Sequence, residues 1–306
     1  MWSAAAKLAR TRVMRSLSRT VLEALARRRP RYALQVSAPK LGVCGLRVRL
    51  SPTSPLYSAA GGEIVELPLD QVIAPVVLKR GAWQAEEIEL IATYAPPQPS
   101  VLFDVGANIG LVTRQLLHRL PTIETAVCFE PHPDNFLYMK RNLEHLPRCV
   151  LVNAALGAKE DELTLYEDVH NAGNCSLNPG AIANANCRTT KIRCLPVSDD
   201  LLLERVPPAL RDAPIVWKSD TQGYDETIKC RLWDDFWRRV HVCVFEILRI
   251  ARPAYDPSRF AAILGRFPLR RFSDEPNTPV SVADILAYAE GDDGASRDLL
   301  VARAAT

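Results

Sequence analysis

The stretch Asp104-Val105-Gly106-Ala107-Asn108-Ile109-Gly110 puts an acid, two glycines and an amide at the junction of an apolar run and a helical one. Gly106 permits a tight turn with a ligand against the backbone, and Gly110 permits close approach of helix and strand. The spacing reads G-x-N-x-G, whereas a dinucleotide fingerprint needs G-x-G-x-x-G. A pyrophosphate seated on a helix N-terminus is an anion and tolerates no acid close by. Asp104, two residues ahead of the turn, suits a cationic or amine-bearing ligand instead. S-adenosylmethionine carries both a sulfonium and an amino group. Asn108 either reaches such a ligand or caps the following helix.

Glu130 stands at the end of the next predicted strand, 24 residues after Gly106. A carboxylate there can accept both ribose hydroxyls of an adenosine. Asn153-Ala154 closes a third strand, where an adenine would lie. A sulfonium methyl is already electrophilic, so a protein must mainly hold an acceptor oxygen about 3 Å away and in line. It must also take a proton. Asp220, ending a buried predicted strand, is the first candidate for base or acceptor clamp, against a helix cap at Tyr224. Lys218 shares its strand face and either balances Asp220, steadies an acidic acceptor or forms a structural ion pair. Glu246, near the end of the adjacent strand, is placed to face Asp220. His132 touches the acceptor or fills its turn, and Tyr224 lines the pocket or packs on the sheet. The Asn-rich run 168–190, with Asn171, Asn174 and Asn178, is too long to be an idle connection. Its amides suit sugar hydroxyls, so Asn174 and Ser176 join the acceptor candidates. No metal is expected: Asp220 and Glu246 are only two firm ligands, and His170, Cys175, Cys187 and Cys194 match no compact zinc spacing.

These groups need strand ends to hold them. Val101–Val105, Thr125–Phe129 and Cys149–Asn153 are buried strands separated by helices at about 109–120 and from Pro133 to about Leu146. Strand–helix units of this kind predict a parallel sheet covered on both faces. Pro214–Ser219 and His241–Leu248 continue it, with helices at Ser198–Leu203, Asp225–Cys230 and Pro257–Leu264. Further strands are expected at Leu163–Tyr166, Lys191–Pro196, Leu269–Phe272 and Asp298–Ala302. Ahead of them come a helix at Glu86–Tyr94 and short strands within 32–75, Leu46–Leu50 among them. Trp233 and Trp237, four apart, either stack on a sugar or pack a helix on the sheet. Three parts result: a basic amphipathic helix over 1–31, a strand extension over 32–84 and a core over 85–306.

The 306 residues are 48% hydrophobic and 24% charged, which excludes a disordered chain. No run of about 18 apolar residues is present, which argues against a spanning helix. Residues 1–31 hold nine basic residues against one acid, Glu23, a balance of +8 that leaves −5 on the rest of a chain of net charge +3. An acidic body does not suit a nucleic-acid partner. The basic segment is open to three roles: packing on its own body or on a second subunit of a homo-oligomer, peripheral contact with an anionic membrane, or targeting. Eight irregularly spaced cysteines read as reduced, mostly buried thiols and point to the cytoplasm, with the inner face of a membrane as an alternative.

Residues from about 80 to 306 resemble the FkbM family of S-adenosylmethionine-dependent methyltransferases. The likeness lies in Asp104–Gly110, in Phe129-Glu130-Pro131-His132-Pro133-Asp134-Asn135, in Asn153-Ala154-Ala155-Leu156-Gly157 and in Lys218-Ser219-Asp220-Thr221-Gln222-Gly223-Tyr224-Asp225. Gly81-Ala82-Trp83 and Gly173-Asn174-Cys175-Ser176-Leu177 are looser matches. The sequence departs from the common pattern at Gln84, where an acid often follows the tryptophan, and at Cys175. The resemblance implies a class I methyltransferase fold with a seven-stranded, mostly parallel sheet. It also implies methyl transfer to a hydroxyl of a sugar, glycan, glycolipid or natural product. The Asp104 loop, Glu130 and the Asn153 region would hold the cofactor. Three rivals stand beside this reading. A nicotinamide oxidoreductase should show the missing glycine, a nucleic-acid methyltransferase should have a basic body, and a non-catalytic cofactor-binding protein would bind without turnover.

Overall fold

The computed structural model describes residues 34–37, 45–50, 52–57, 62–68, 70–168, 170–182, 187–250 and 255–303. The basic helix expected over 1–31 lies outside them. Strands β1 (Leu34–Ser37), β2 (Gly45–Arg49) and β3 (Ile64–Pro68) form an antiparallel sheet. In β2 the alternation places Leu46 and Val48 inward, and Arg47 and Arg49 outward, where they pair with Glu66 and Glu63. The inward residues pack with Ile109, Leu111 and Tyr138. Asn142, fully buried, bonds both backbone groups of Glu66 and the Ile109 carbonyl, so this small sheet is tied to the glycine loop.

Helix α1 (Ile73–Arg80) begins inside the stretch 32–75 expected to form short strands, where Ile and Val favour extended backbone. Asp70 reverses that preference, because its carboxylate accepts the amides of Ile73 and Ala74 at 3.0 and 2.9 Å. Pro75 falls in the first turn, where a missing N–H costs nothing. Helix α2 (Ala85–Thr93) follows. Its entry is fixed by Gln115, whose amide accepts from the Trp83 N–H and donates to the Trp83 carbonyl.

The core then runs β4 (Ser100–Val105), α3 (Leu111–Arg119), β5 (Ile123–Phe129), α4 (Pro133–Leu143) and β6 (Cys149–Val152). An excursion follows, made of β7 (Ala155–Gly157), β8 (Asp161–Asp168), β9 (Asn171–Ser176) and β10 (Cys187–Pro196). Three of these run antiparallel in the order β10-β8-β9, with β7 added parallel to β10. The polar run expected to be an extended loop is therefore largely a second sheet, lying beside the cleft as a flap. The chain returns through α5 (Asp199–Leu203), β11 (Ile215–Ser219), α6 (Asp225–Lys229), α7 (Asp234–Arg239), β12 (Val240–Leu248), α8 (Pro257–Leu264), β13 (Leu269–Phe272), α9 (Val282–Ala289) and β14 (Ser296–Ala302).

The seven-stranded sheet has the order β13-β14-β12-β11-β4-β5-β6, and β14 alone runs against the rest. This order, with one reversed strand beside the edge, is the class I methyltransferase architecture. Alternation along the strands builds two apolar layers. Phe103, Trp217 and Phe245 face Phe236 and Trp237 of α7. Leu102, Val216 and Val244 face Ile88 and Ile91 of α2 and Leu116 of α3. Trp237 is thus helix-to-sheet packing, while Trp233 is 73% exposed and belongs to neither layer.

Candidate functional site

The chain leaves β4 toward β5 on one side and returns to β11 on the other. The crevice opened at such a switch point is where α/β sheets bind ligands. Here it is a cleft of about 1070 Å³, solvent at its mouth included. Gly106 (φ 75°) turns the chain out of β4, and a Cβ on it would strike the Asp220 carbonyl oxygen at the end of β11. The Gly106 and Ala107 amides both donate to the Phe129 carbonyl at 2.9 Å, which closes the loop over β5. Gly110 (φ 81°) leaves room for Leu143 and Met139 of α4, 2.8 to 3.2 Å from where its Cβ would stand. The three non-glycine residues with positive φ among the described ones, Gln84, Asn108 and Gln222, all lie on or beside the cleft. Such backbone costs persist where the surrounding structure over-determines them, and they cluster at ligand sites.

Glu130 lines the cleft and is 4% exposed. Its Oε2 accepts the Asn108 amide and its Oε1 the His132 amide, both at 2.8 Å. Burial pushes the carboxyl up to about 7 against the pull of those amides. Each carboxylate oxygen keeps a second lone pair for a ligand hydroxyl. Ala154, Leu156 and Pro131 give that end of the cleft flat apolar walls.

Three expected cofactor or acceptor contacts are corrected. Asp104 is 0% exposed and sits under the loop. It accepts from Thr113 Oγ1 at 2.6 Å and pairs with Lys218 at 3.3 Å. Asn153 is exposed, and its amide donates to the Glu130 and Pro131 carbonyls, so it braces the strand end while Ala154 does the lining. His132 is buried away from the cleft. Its Nδ1 lies 3.4 Å from the Asn135 amide at the start of α4, a long contact that accepts only when the ring is neutral, and its Nε2 lies 3.0 Å from Glu167 of β8. Two flap candidates also turn elsewhere. Ser176 donates to the Gln222 carbonyl at 2.6 Å, and Asn174 is not among the lining residues, whereas Asn171, Gly173 and Cys175 are.

The other end of the cleft is ionic. Parity puts Asp104, Lys218, Glu246 and Asp298 on the sheet face covered by α2, and register brings them side by side. Lys218 pairs with Asp104 and Glu246 with Asp298. Asp220 extends the same row. Gln222 links it to Glu246, donating to Asp220 at 2.7 Å and to Glu246 at 2.9 Å. Asp220, Lys218, Thr221 and Tyr224 line the cleft; Glu246 is not among the lining residues and is joined to Asp220 through Gln222. From α2, Glu87 descends onto this row, 7% exposed, with Oε2 unpartnered. Sequence reasoning missed Glu87, since only the packing of α2 on the sheet reveals what it faces. Burial drives Glu87 from 4.5 to about 8, against the pull of Lys218, and carries Asp298 to about 6. It also holds Asp220 and Glu246 above their usual range. Burial opposes the charge on Lys218, but Asp104, Asp220 and Glu87 outweigh it and keep the ammonium charged. Asp225 accepts from Thr221 N and Oγ1 at 2.9 and 2.6 Å and from Lys229 at 2.7 Å, which fixes the turn carrying Asp220. Among the described residues no group of three or more His, Cys, Asp or Glu side chains is arranged to hold a metal ion.

The flap is fastened to the cleft at three points. The Ala172 carbonyl accepts from Asn135 at 2.8 Å and Asn108 at 3.5 Å, Ser176 reaches Gln222, and Glu167 meets His132. Arg188 and Thr190 of β10 converge on the same Glu167 carboxylate. Burial lowers the tendency of His132 to charge, but Glu167 outweighs it and raises the ring pKa above 6.5. The charged pair is thus fully present below pH 6.5 and is lost as pH rises through the raised value. Limited proteolysis should therefore cut the flap faster above neutral pH, and His132→Ala should show fast cutting at every pH. A variant as resistant as the parent would remove His132 from the latch.

No known family profile matches the chain, and no curated protein matches it. Among solved structures it is similar to a precorrin-6y C5,15-methyltransferase from Geobacter metallireducens GS-15, with 12% identity, 74% of this chain and 93% of that one covered, and a TM-score of 0.34. A SAM-dependent O-methyltransferase from Thermotoga maritima gives 10% identity, coverage of 79% and 74%, and a TM-score of 0.32. The methyltransferase FkbM from Methylobacillus flagellatus KT gives 14% identity and a TM-score of 0.31 over 51% of this chain and 37% of that one. At these values the likenesses carry no argument about activity. The fold rests on the strand order itself, which is that of S-adenosylmethionine-dependent methyltransferases of the Rossmann-like class. No described helix is long and apolar enough to cross a membrane.

Proposed function

We propose that the protein is an S-adenosylmethionine-dependent methyltransferase of the FkbM type, acting on a hydroxyl of a sugar, glycan, glycolipid or natural product. The observation that carries this is the cradle shared by Gly106 and Glu130. A glycine that only a missing Cβ makes possible faces the cleft, beside a buried carboxylate with a free lone pair on each oxygen. Asn108 Oδ1, buried without a partner, adds an acceptor on the same loop. These residues fit an adenosyl group: Glu130 for the ribose hydroxyls, Ala154 and Leu156 for the adenine, Gly106 for the 5′-sulfur. When bound, the cofactor supplies an electrophilic methyl. Asp220, at the end of β11, receives the acceptor's proton, and its raised pKa makes it a stronger base than an exposed aspartate. Gln222 holds Asp220 Oδ1, which leaves Oδ2 as the oxygen that takes the proton. Gln84, Asn171, Thr221 and Tyr224 are the polar lining groups available to an acceptor's hydroxyls.

Glu130→Gln is the test. An amide must turn its NH₂ toward one of the two backbone N–H groups that Glu130 now accepts. S-adenosylhomocysteine affinity by calorimetry should fall by about tenfold to a hundredfold, from the loss of charged hydrogen bonds worth about 1.5–3 kcal/mol. No saturable binding by the parent protein would end the adenosyl reading. Methyl transfer to RNA but to no hydroxyl-bearing glycan or small molecule would replace the proposed acceptor class.

A further inference from the structure

Among the described residues lining the cleft, Lys218 is the only lysine or arginine. It is 3% exposed, donates to the Gly106 carbonyl at 3.2 Å and pairs with Asp104 Oδ1 at 3.3 Å. An ammonium has three donors, of which Gly106 takes one while Asp104 stands at ion-pair distance. Lys218 sits on β11, two strands from β5, which ends at Glu130. At about 4.8 Å per strand, roughly 10 Å separates the two positions along the sheet edge. An adenosyl amino acid has about eight bonds between its ribose hydroxyls and its carboxylate carbon, a span on the order of 10 Å.

Resting on the adenosyl reading above, we propose that Lys218 anchors the carboxylate at the amino-acid end of the ligand. The cleft then selects adenosyl compounds that carry that carboxylate. Asp104 is not the ligand's partner in this arrangement. It is the buried counter-charge that keeps Lys218 extended beneath the Gly106 loop, with Thr113 holding its other oxygen. Gly106 O is likewise an acceptor already engaged by Lys218, so the lysine sets both the charge and the height of the loop. Among the described acidic side chains, only Asp104 lies at ion-pair distance from the ammonium.

The experiment compares S-adenosylmethionine with its decarboxylated form, which differ only in the carboxylate. Calorimetry would be run on the parent, on Lys218→Met and on Lys218→Met combined with Asp104→Asn. The double variant removes both charges and so avoids stranding a buried aspartate if the single one does not fold. The parent should prefer the carboxylate-bearing ligand by tenfold or more. The variants should lose that preference and bind the two ligands within about threefold of each other. A preference that survives in the variants, or is missing from the parent, overturns the assignment of Lys218. Failure of the parent to bind either ligand would instead defeat the adenosyl reading itself.

Discussion

Gly106→Ala is expected to remove measurable adenosyl binding and to lower the melting temperature by several degrees. Two effects combine. A left-handed backbone costs a residue with a Cβ about 1–2 kcal/mol. The new methyl would also lie inside the contact distance of the Asp220 carbonyl, so the β4 and β11 loops must part. Parting them moves Asp220 and releases the Lys218 bond to the Gly106 carbonyl. Gly294 provides the control, since it has the same φ of 75° and nothing within 4 Å of its would-be Cβ. Gly294→Ala should show only the backbone cost, with adenosyl affinity unchanged. Calorimetry and thermal denaturation of the two variants separate strain from collision. Equal losses in both would mean that the Gly106 loop does not cradle the ligand.

The second large effect concerns charge. Glu87 is raised from 4.5 to about 8, so the folded chain keeps a proton that the unfolded chain gives up near 4.5. Raising the pH from about 4.5 to 8 therefore weakens the ligand-free fold, the direction expected of an acid whose folded pKa is raised. Asp298, at about 6, acts the same way over a narrower window. A sulfonium brought near this row favours the ionised acids and drives a proton off, whereas a neutral thioether does not. Affinity for S-adenosylmethionine relative to S-adenosylhomocysteine should rise between pH 6 and 8, by up to about tenfold per pH unit for each proton released. Calorimetry in buffers of different ionisation enthalpy should register proton release with the first ligand only. A ratio independent of pH would show that the acids do not sense the ligand's charge. Glu87→Gln should flatten the upper part of the curve.

Much of this arrangement is legible in the residue order. The central strands are almost wholly apolar because both faces are covered, and each ends in a recognisable acid, amide or glycine, which makes Gly106, Glu130 and Asp220 easy to pick out. What escapes is what depends on packing. Strand β9 reads Asn-Ala-Gly-Asn-Cys-Ser, without a β-branched residue, and exists because β8 and the Ala172 contacts hold it. Helix α1 is hidden in a Val- and Ile-rich run until Asp70 supplies its first hydrogen bonds. Asn153 and His132 carry suitable chemistry in suitable places, but nearby backbone groups consume their side chains. Glu87 looks like an ordinary helix-surface acid, and only the placement of α2 over β12 buries it.

The position of β14 bears on how the molecule comes to exist. It is wedged between β12 and β13, pairing with both, although it follows them in the chain. During synthesis those two strands must wait with their inner edges bare until residues 296–302 emerge. Bare edges template association between chains. Asp298 arrives with that same wedge, so the acidic row is the last part to assemble, and a half-made molecule has neither a closed sheet nor a working site.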